Sequence, residues 1–172
     1  MRHLPPFPDL RAFLDWAEAE RDLARIAAPI ALRHEMTAVE LAALRAGGPI
    51  LRFEHPTGAG GARAGLPVVA NLFGTRRRVA AGLGLLPEDV AGFGAFLAAL
   101  RAPAPVEGMR DALARWPLLK AALATRPRHL SKPPAQQDSL ANLAALPVQT
   151  PWPEDAGPLI TWPVVVTRPC GS

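Results

Sequence analysis

The sequence has few of the residues that mark several common classes of protein. It contains one cysteine, Cys170, so no disulfide can form within the chain, which predicts a reducing compartment. It contains no uninterrupted apolar run of about 18 residues, the length that indicates a membrane-spanning helix. Residues 1–8 lack the continuous apolar stretch of a secretion signal. These absences predict a cytoplasmic protein without a transmembrane segment.

Lysine is also scarce, because Lys120 and Lys132 are the only two among the 19 basic residues. The formal net charge is +4 and the pI is about 10.5, values that would suit a nucleic-acid partner. A nucleic-acid surface would cluster its basic residues and place aromatic side chains between them. Here the arginines are scattered, and the one tight run is residues 76–78. We therefore expect no nucleic-acid partner.

What the chain does contain is enough apolar material to fold. Hydrophobic residues make up 49% of its 172 residues and charged residues 20%, the opposite of the balance that produces disorder. The length fits one domain or two small ones.

Hydrophobic spacing predicts helices and strands that alternate up to about residue 100. Such alternation predicts an α/β (α+β) fold with a small N-terminal α/β domain. Helices are predicted over residues 9–20, 34–45, 76–83 and 87–100, extended segments over 23–30, 50–53 and 68–71, and a loop over 55–65.

The composition changes after residue 101. Residues 102–110 contain two prolines and predict a stiff linker between a first domain (1–101) and a second (111–172). The second part is predicted to hold a helical stretch over 109–124, a proline-rich irregular tract over 126–153, and a strand over 159–167 that Pro163 restricts to an edge or bulge. A lone final strand would leave its ladder groups unpaired, so we expect the sequence to be the N-terminal part of a longer protein.

Residues 58–65 form a glycine-rich segment that could suggest a phosphate site. A P-loop ends in Gly-Lys-Ser/Thr, and this segment has neither the lysine nor the hydroxyl. A dinucleotide-binding segment opens a helix after a strand, whereas here Pro67 and a strand follow. The pattern predicts a surface loop.

The arginines at residues 76–78 leave two alternatives open. They lie at the start of a predicted helix, where an anion would be favoured, or they form a solvated helix face. The four histidines, at positions 3, 34, 55 and 129, have no zinc-ligand spacing and are predicted to lie at the surface or to cap helices. The carboxylates show no catalytic pairing, so we predict no catalytic, cofactor-binding or metal-binding residue in this sequence.

Five segments in order resemble the UbiD-type decarboxylases. Residues 9–14 (DLRAFL) with 23–29 are similar to that family's opening DLRDFL and LKRI segments, and residues 34–37 (HEMT) to its HLEIT step. Residues 44–54 (LRAGGPILRFE) resemble LRAGGPALLFE. Residues 67–80 resemble PVLCNLFGTPKRVA, and residues 146–162 resemble IPIMTCWPEDAAPLITW. Within the family, the ubiquinone-pathway enzymes are the most similar in appearance.

This resemblance implies a non-oxidative carboxy-lyase acting on an aromatic acid such as 3-polyprenyl-4-hydroxybenzoate. It implies prenylated FMN held through Mn²⁺ or Mg²⁺ and K⁺, and a homo-oligomer. It also implies a location in the cytoplasm or at the periphery of the inner membrane. It also implies that an N-terminal α/β domain precedes a split β-barrel flavin-binding domain, of which this sequence holds the incomplete start.

The sequence departs from the family pattern near position 163, where Pro163 replaces a glycine. The tract between Pro134 and Leu146 is shorter than usual. The family's Asn-containing cofactor segment and its later Arg and Glu residues have no counterpart here. We therefore expect this chain alone to be inactive. The alternative is a non-catalytic module that docks on a separately encoded catalytic half.

Overall fold

The computed structural model describes residues 6–101 and 138–161, together with the single residues Gly108, Trp116, Lys120 and Ser131. Over these residues the protein has an α/β fold, as predicted. The helices are α1 (Leu10–Ala19), α2 (Glu35–Arg45), α3 (Arg76–Gly82) and α4 (Val90–Arg101), and the strands are β1 (Leu23–Ile26), β2 (Ile30–Ala31), β3 (Ile50–Phe53), β4 (Pro56–Thr57) and β5 (Val68–Ala70). Short 3-10 helices cover Ala59–Gly61, Pro87–Asp89 and Leu143–Ala145.

Two small sheets organise the N-terminal region. The larger has the strand order β1-β3-β5, in which β1 is parallel to β3 and β5 is antiparallel to it. The smaller pairs β2 with β4 in parallel. Parallel strands require a crossover connection, and α2 supplies it because it lies between β2 and β3 in the chain.

The central strand β3 contributes to a hydrophobic cluster on each face of the sheet. Ile50 packs with Phe13 and Ala17 of α1, while Leu51 and Phe53 pack with Met36 of α2. Successive side chains of a strand point to opposite faces, so this alternation places helices on both sides of β3. Ile50 and Phe53 are completely buried.

Side-chain caps define the start of two helices where the sequence predicts them. The Asp9 Oδ1 atom accepts a hydrogen bond from the Ala12 backbone N–H at 2.9 Å, at the N-terminus of α1. Thr75 Oγ1 accepts from the Arg78 N–H at 3.3 Å, at the N-terminus of α3. Both satisfy backbone donors that the helix itself leaves unpaired.

The predicted extended segment over residues 23–30 is wrong as a single unit, because it divides into β1 and β2. Three residues separate these strands, whereas two separate β3 from β4 on the neighbouring path. Pairing resumes when the Ile30 N–H donates to the His55 carbonyl at 3.3 Å. Pro29 lies in the break, and proline has no N–H to donate to a ladder.

The predicted loop over residues 55–65 is also more ordered than expected. It contains β4, the 3-10 helix Ala59–Gly61 and an isolated antiparallel bridge between Thr57 and Arg63. The glycine-rich tip is exposed, as expected of a surface loop.

The strand predicted over residues 159–167 is wrong at its start. Residues 159–161 are not in a strand, although the Leu159 N–H donates to the Gln149 carbonyl at 2.9 Å. Pro158 and Gly157, just before them, favour a turn over a ladder. The rest of that strand and Cys170 lie outside the described residues, as do nearly all of the linker and nearly all of the helical stretch over 109–124.

Among the described residues, no single helix is long and apolar enough to cross a membrane. Taken together, α3 and the stretch from Pro87 to Arg101 have the length and composition of a membrane span, but the two segments meet at a bend of 86°.

Candidate functional site

A groove of about 650 Å³ lies between α2, β5 and residues 146–161. Its lining is mostly apolar, and Glu40 is the one ionisable side chain among its lining residues. Its walls are Thr37, Glu40 and Leu44 of α2, residues 68–74, residues 146–149, Pro151 and residues 159–161. The groove therefore lies where the end of the described chain returns to the N-terminal region.

Gln149 anchors the returning segment to α2. Its Nε2 atom donates to Glu40 Oε1 at 2.6 Å and contacts the Met36 sulfur at 3.1 Å. Its Oε1 atom accepts a hydrogen bond from Thr37 Oγ1 at 3.3 Å. Met36 and Thr37 are buried, so the Gln149 amide meets polar groups at the edge of the second hydrophobic cluster.

The backbone beside Gln149 is also paired with the N-terminal region. The Thr150 N–H donates to the Leu32 carbonyl at 3.2 Å, and the His34 N–H donates to the Thr150 carbonyl at 3.0 Å. These bonds form an isolated parallel bridge between Arg33 and Thr150. Residues 149–159 then close on themselves through the bond from Leu159 to Gln149.

Burial raises the pKa of the Glu40 carboxyl, and the hydrogen bond from Gln149 partly opposes that effect. Desolvation disfavours the charged form of an acid, whereas a donor to the carboxylate favours it. The carboxyl is thus held in a site that solvates its charge poorly and supplies one donor to it.

The second polar cluster is centred on Arg78. This side chain is completely buried, and its Nε donates to Asp22 Oδ2 at 3.0 Å. Its terminal nitrogens donate to the carbonyls of Asn71 and Gly48. Arg78 therefore joins α3, the loop before it and the turn before β3. A guanidinium suits this place because its several donors lie in one plane.

Neither alternative for residues 76–78 describes the whole run. Arg78 binds protein groups inside the fold and is not available to an external anion. Arg77 is about half exposed, pairs with Glu20, and lies over the Trp16 ring at 5.6 Å. Arg76 is exposed and fits the solvated face. The three arginines differ because adjacent side chains on a helix point in different directions.

Asn71 holds the turn on which Arg78 depends. Its φ is 57°, in the left-handed region that asparagine tolerates better than most residues. Its Nδ2 donates to the carbonyls of Gly48 and Pro49 at 3.1 and 2.8 Å. A Cβ at Gly74 would lie 1.8 Å from Asn71 Oδ1, so any other residue there would displace the Asn71 side chain.

The described histidines do not cap helices through their side chains. His34 stands at the N-cap position of α2 with φ 64°, but its side chain makes no capping hydrogen bond. Its Nε2 atom is buried without a hydrogen-bond partner among the described residues. The capping interpretation is thus wrong for His34, and His55 is half-buried.

The sequence interpretation did not single out Gln149, Asn71 or Asp22 for these contacts. The one signal available was local: Asn71 and Gly74 bracket a turn between a strand and a helix, a place that favours both residue types. The Gln149 contacts join residues more than one hundred positions apart, which no local pattern shows.

Two family models match the chain. One, described as the 3-octaprenyl-4-hydroxybenzoate carboxy-lyase N-terminal domain, matches residues 14–94. The other, described as the Rift-related domain of the same carboxy-lyase, matches residues 128–172. Together they cover more than two thirds of the chain. This chain belongs to the UbiD family. The Arg78 cluster lies within the first matched region of this UbiD-family chain, and the Glu40–Gln149 contact joins the first region to the second.

The groove beside Glu40 does not fit the flavin cofactor that the UbiD resemblance implies. Between residues 6 and 101 and between 138 and 161, no three His, Cys, Asp or Glu side chains group to hold a metal ion. The groove offers Glu40 as its one ionisable group and no basic side chain for a phosphate.

Proposed function

We propose that this polypeptide provides the N-terminal α/β domain, and the segment that docks on it, of a UbiD-type decarboxylase. The observation that carries the proposal is the ordered pair of family matches, to an N-terminal domain and to a Rift-related domain of one carboxy-lyase. The reaction is a non-oxidative loss of carbon dioxide from an aromatic acid, with 3-polyprenyl-4-hydroxybenzoate in ubiquinone biosynthesis as the substrate. Both matching family models describe a 3-octaprenyl-4-hydroxybenzoate carboxy-lyase, which supports this substrate class.

The finer parts of the proposal come from the sequence resemblance. The complete enzyme uses prenylated FMN with Mn²⁺ or Mg²⁺ and K⁺, forms a homo-oligomer, and acts in the cytoplasm or at the periphery of the inner membrane. Bound prenylated FMN supplies the electron sink for decarboxylation. The proposed domains are 1–101 and 111–172, joined by a linker over 102–110, and the second opens a split barrel.

The role of this chain's residues is to build a scaffold. Arg78 holds α3 against the turn before β3, and Gln149 holds residues 146–161 against α2. We propose that the chain by itself binds no prenylated FMN and has no decarboxylase activity.

The first experiment mixes the purified chain with reconstituted prenylated FMN, Mn²⁺ and K⁺ and passes the mixture through gel filtration. We expect the flavin absorbance to separate from the protein and no carbon dioxide to form from 3-polyprenyl-4-hydroxybenzoate. Flavin that elutes with the chain would overturn the proposed inactivity.

The second experiment tests the family activity itself. The chain is co-produced with the catalytic portion of a UbiD-family enzyme that lacks its own N-terminal domain. Decarboxylation that depends on this chain supports the proposal. A catalytic portion that is equally active without the chain would count against it.

The alternative function is a non-catalytic module that docks on a separately encoded catalytic half. The contact that favours it is the Gln149 anchor, because it shows that α2 can hold an extended segment through both backbone and side-chain bonds. Stable co-purification with a catalytic portion, without any rise in its activity, would favour this module over the enzyme subunit.

A further inference from the structure

Three side-chain groups on α2 converge on one amide. Met36 and Glu40 are four residues apart, so they lie one above the other on the same helix face, and Thr37 lies beside them. The Gln149 amide uses both nitrogen-bound hydrogens, one towards Glu40 and one towards Met36, and its oxygen accepts from Thr37. Both of its N–H donors and one of the two lone pairs on its oxygen are therefore directed at this face of α2.

The donors and acceptors around the amide decide which of its ends points where. Glu40 Oε1 needs a donor, and Gln149 Nε2 supplies it at 2.6 Å. Thr37 Oγ1 donates to the amide oxygen at 3.3 Å. Reversing the amide would put two acceptors, its oxygen and the Glu40 carboxylate, against each other. The cluster thus accepts glutamine in one orientation.

The backbone bonds on either side make the Gln149 contact depend on the register of this segment. Thr150 exchanges backbone bonds with Leu32 and His34 on the neighbouring path. A slip of one residue in an extended segment turns every side chain to the opposite face. It would bring Val148 or Thr150 to the Glu40 carboxylate in place of Gln149. With Val148 there, the carboxylate would lose its amide donor in a partly buried site, which is costly.

We propose that Gln149 is a positioning residue that fixes the register in which residues 146–161 dock on α2. The face of α2 that carries Met36, Thr37 and Glu40 is the surface that binds the Gln149 amide. The occupant of this surface is the chain's own segment, which lies within the region matching the Rift-related domain. The inference goes beyond the proposed function because it holds whatever reaction the protein supports.

The test is hydrogen exchange of the full chain at pH 7.5, read by mass spectrometry in peptides containing the His34, Thr150 and Leu159 amides. The variant Gln149→Glu places a second carboxylate against Glu40. We expect exchange at these amides to accelerate about tenfold or more, as suits the loss of a hydrogen bond to a charged group. The control Glu154→Gln also changes one charge on an exposed side chain of the same segment and should leave exchange within about twofold of the original, since exposed sites contribute little.

The double variant Glu40→Gln/Gln149→Glu exchanges the two side chains. An amide on α2 can then donate to a carboxylate at position 149, and we expect protection of the three amides to return. Peptides covering β3 report on global unfolding, so they separate local release from loss of the fold. Unchanged protection in Gln149→Glu would overturn the proposal. The proposal would also be overturned if the three amides exchanged as fast in the double variant as in Gln149→Glu. This holds even if Gln149→Glu unfolds.

Discussion

Arg78 Nε donates to Asp22 Oδ2 at 3.0 Å, which ties α3 to the residue that precedes β1. The Arg78 side chain is 1% exposed and the Asp22 side chain 17%. A buried charge needs such a partner and further hydrogen bonds, and Arg78 has both through the carbonyls of Asn71 and Gly48. Although it belongs to a basic run, Arg78 therefore connects three parts of the fold from inside.

The variant Arg78→Met should destabilise the N-terminal domain strongly. It removes the cation that pairs with Asp22 and a donor to each of two carbonyls, and breaking a buried pair costs about 3–5 kcal/mol. The free energy of unfolding from urea titrations measures the loss. Arg76→Met, on the exposed side of the same helix, is the matched control and should change it by about 0.5 kcal/mol or less. Equal effects for the two variants would contradict this stabilising role of Arg78.

Two glycine variants should have opposite effects on stability. Gly74→Ala places a Cβ 1.8 Å from Asn71 Oδ1, whose amide is already bound to two carbonyls, so we expect a loss of about 1–3 kcal/mol. Gly92→Ala has no atom within 4 Å and lies in α4, where alanine is the better helix former. It should gain about 0.5–1 kcal/mol. Thermal unfolding followed by circular dichroism compares the two, and a stable Gly74→Ala would mean that the Asn71 turn adjusts freely.

The pKa of Glu40 predicts a pH dependence of stability. Because burial raises this pKa above its unfolded value, the protonated form favours the fold. Its contribution is complete below the unfolded pKa and is lost as the pH rises through the folded pKa. Glu40→Gln cannot ionise, yet its amide oxygen can still accept from Gln149.

We therefore expect the free energy of unfolding of Glu40→Gln to improve relative to the original chain as the pH rises from about 4 to 7, the range above an ordinary glutamate pKa. Urea unfolding of both proteins at each pH gives the difference. The variant Glu88→Gln, which alters an exposed carboxylate outside the groove, is the control for the loss of one negative charge. A difference for Glu40→Gln that does not change with pH would rule out the link.

Phe53 should be among the costliest apolar positions to truncate. Phe53 is completely buried and packs with Met36 and Leu51. Phe53→Ala therefore leaves a cavity and should cost about 3–5 kcal/mol. Leu97→Ala removes a side chain that is 48% exposed on α4 and should cost well under half as much. Chemical unfolding of the two variants checks the contrast. Similar losses would show that α4 is covered in solution.

Local sequence patterns were sufficient for most of the helices and strands. Apolar spacing predicted α1 and α3, which Asp9 and Thr75 cap in the structure, and the run at Ile50–Phe53 predicted the central strand. These succeed because caps and periodicity depend on neighbours within one or two turns. Pro29 indicated an end to the first extended segment, but its division into β1 and β2 was missed because a change of pairing partner depends on the neighbouring strand.

By itself, then, the sequence determined the family, the α/β class and the places where helices begin. Only the tertiary structure decided that Arg78 faces inward while Arg76 faces solvent, and that Gln149 meets Glu40. The physical reason is that burial and long-range hydrogen bonds belong to pairs of distant residues. Residues 40 and 149 acquire their roles when the chain brings them to 2.6 Å.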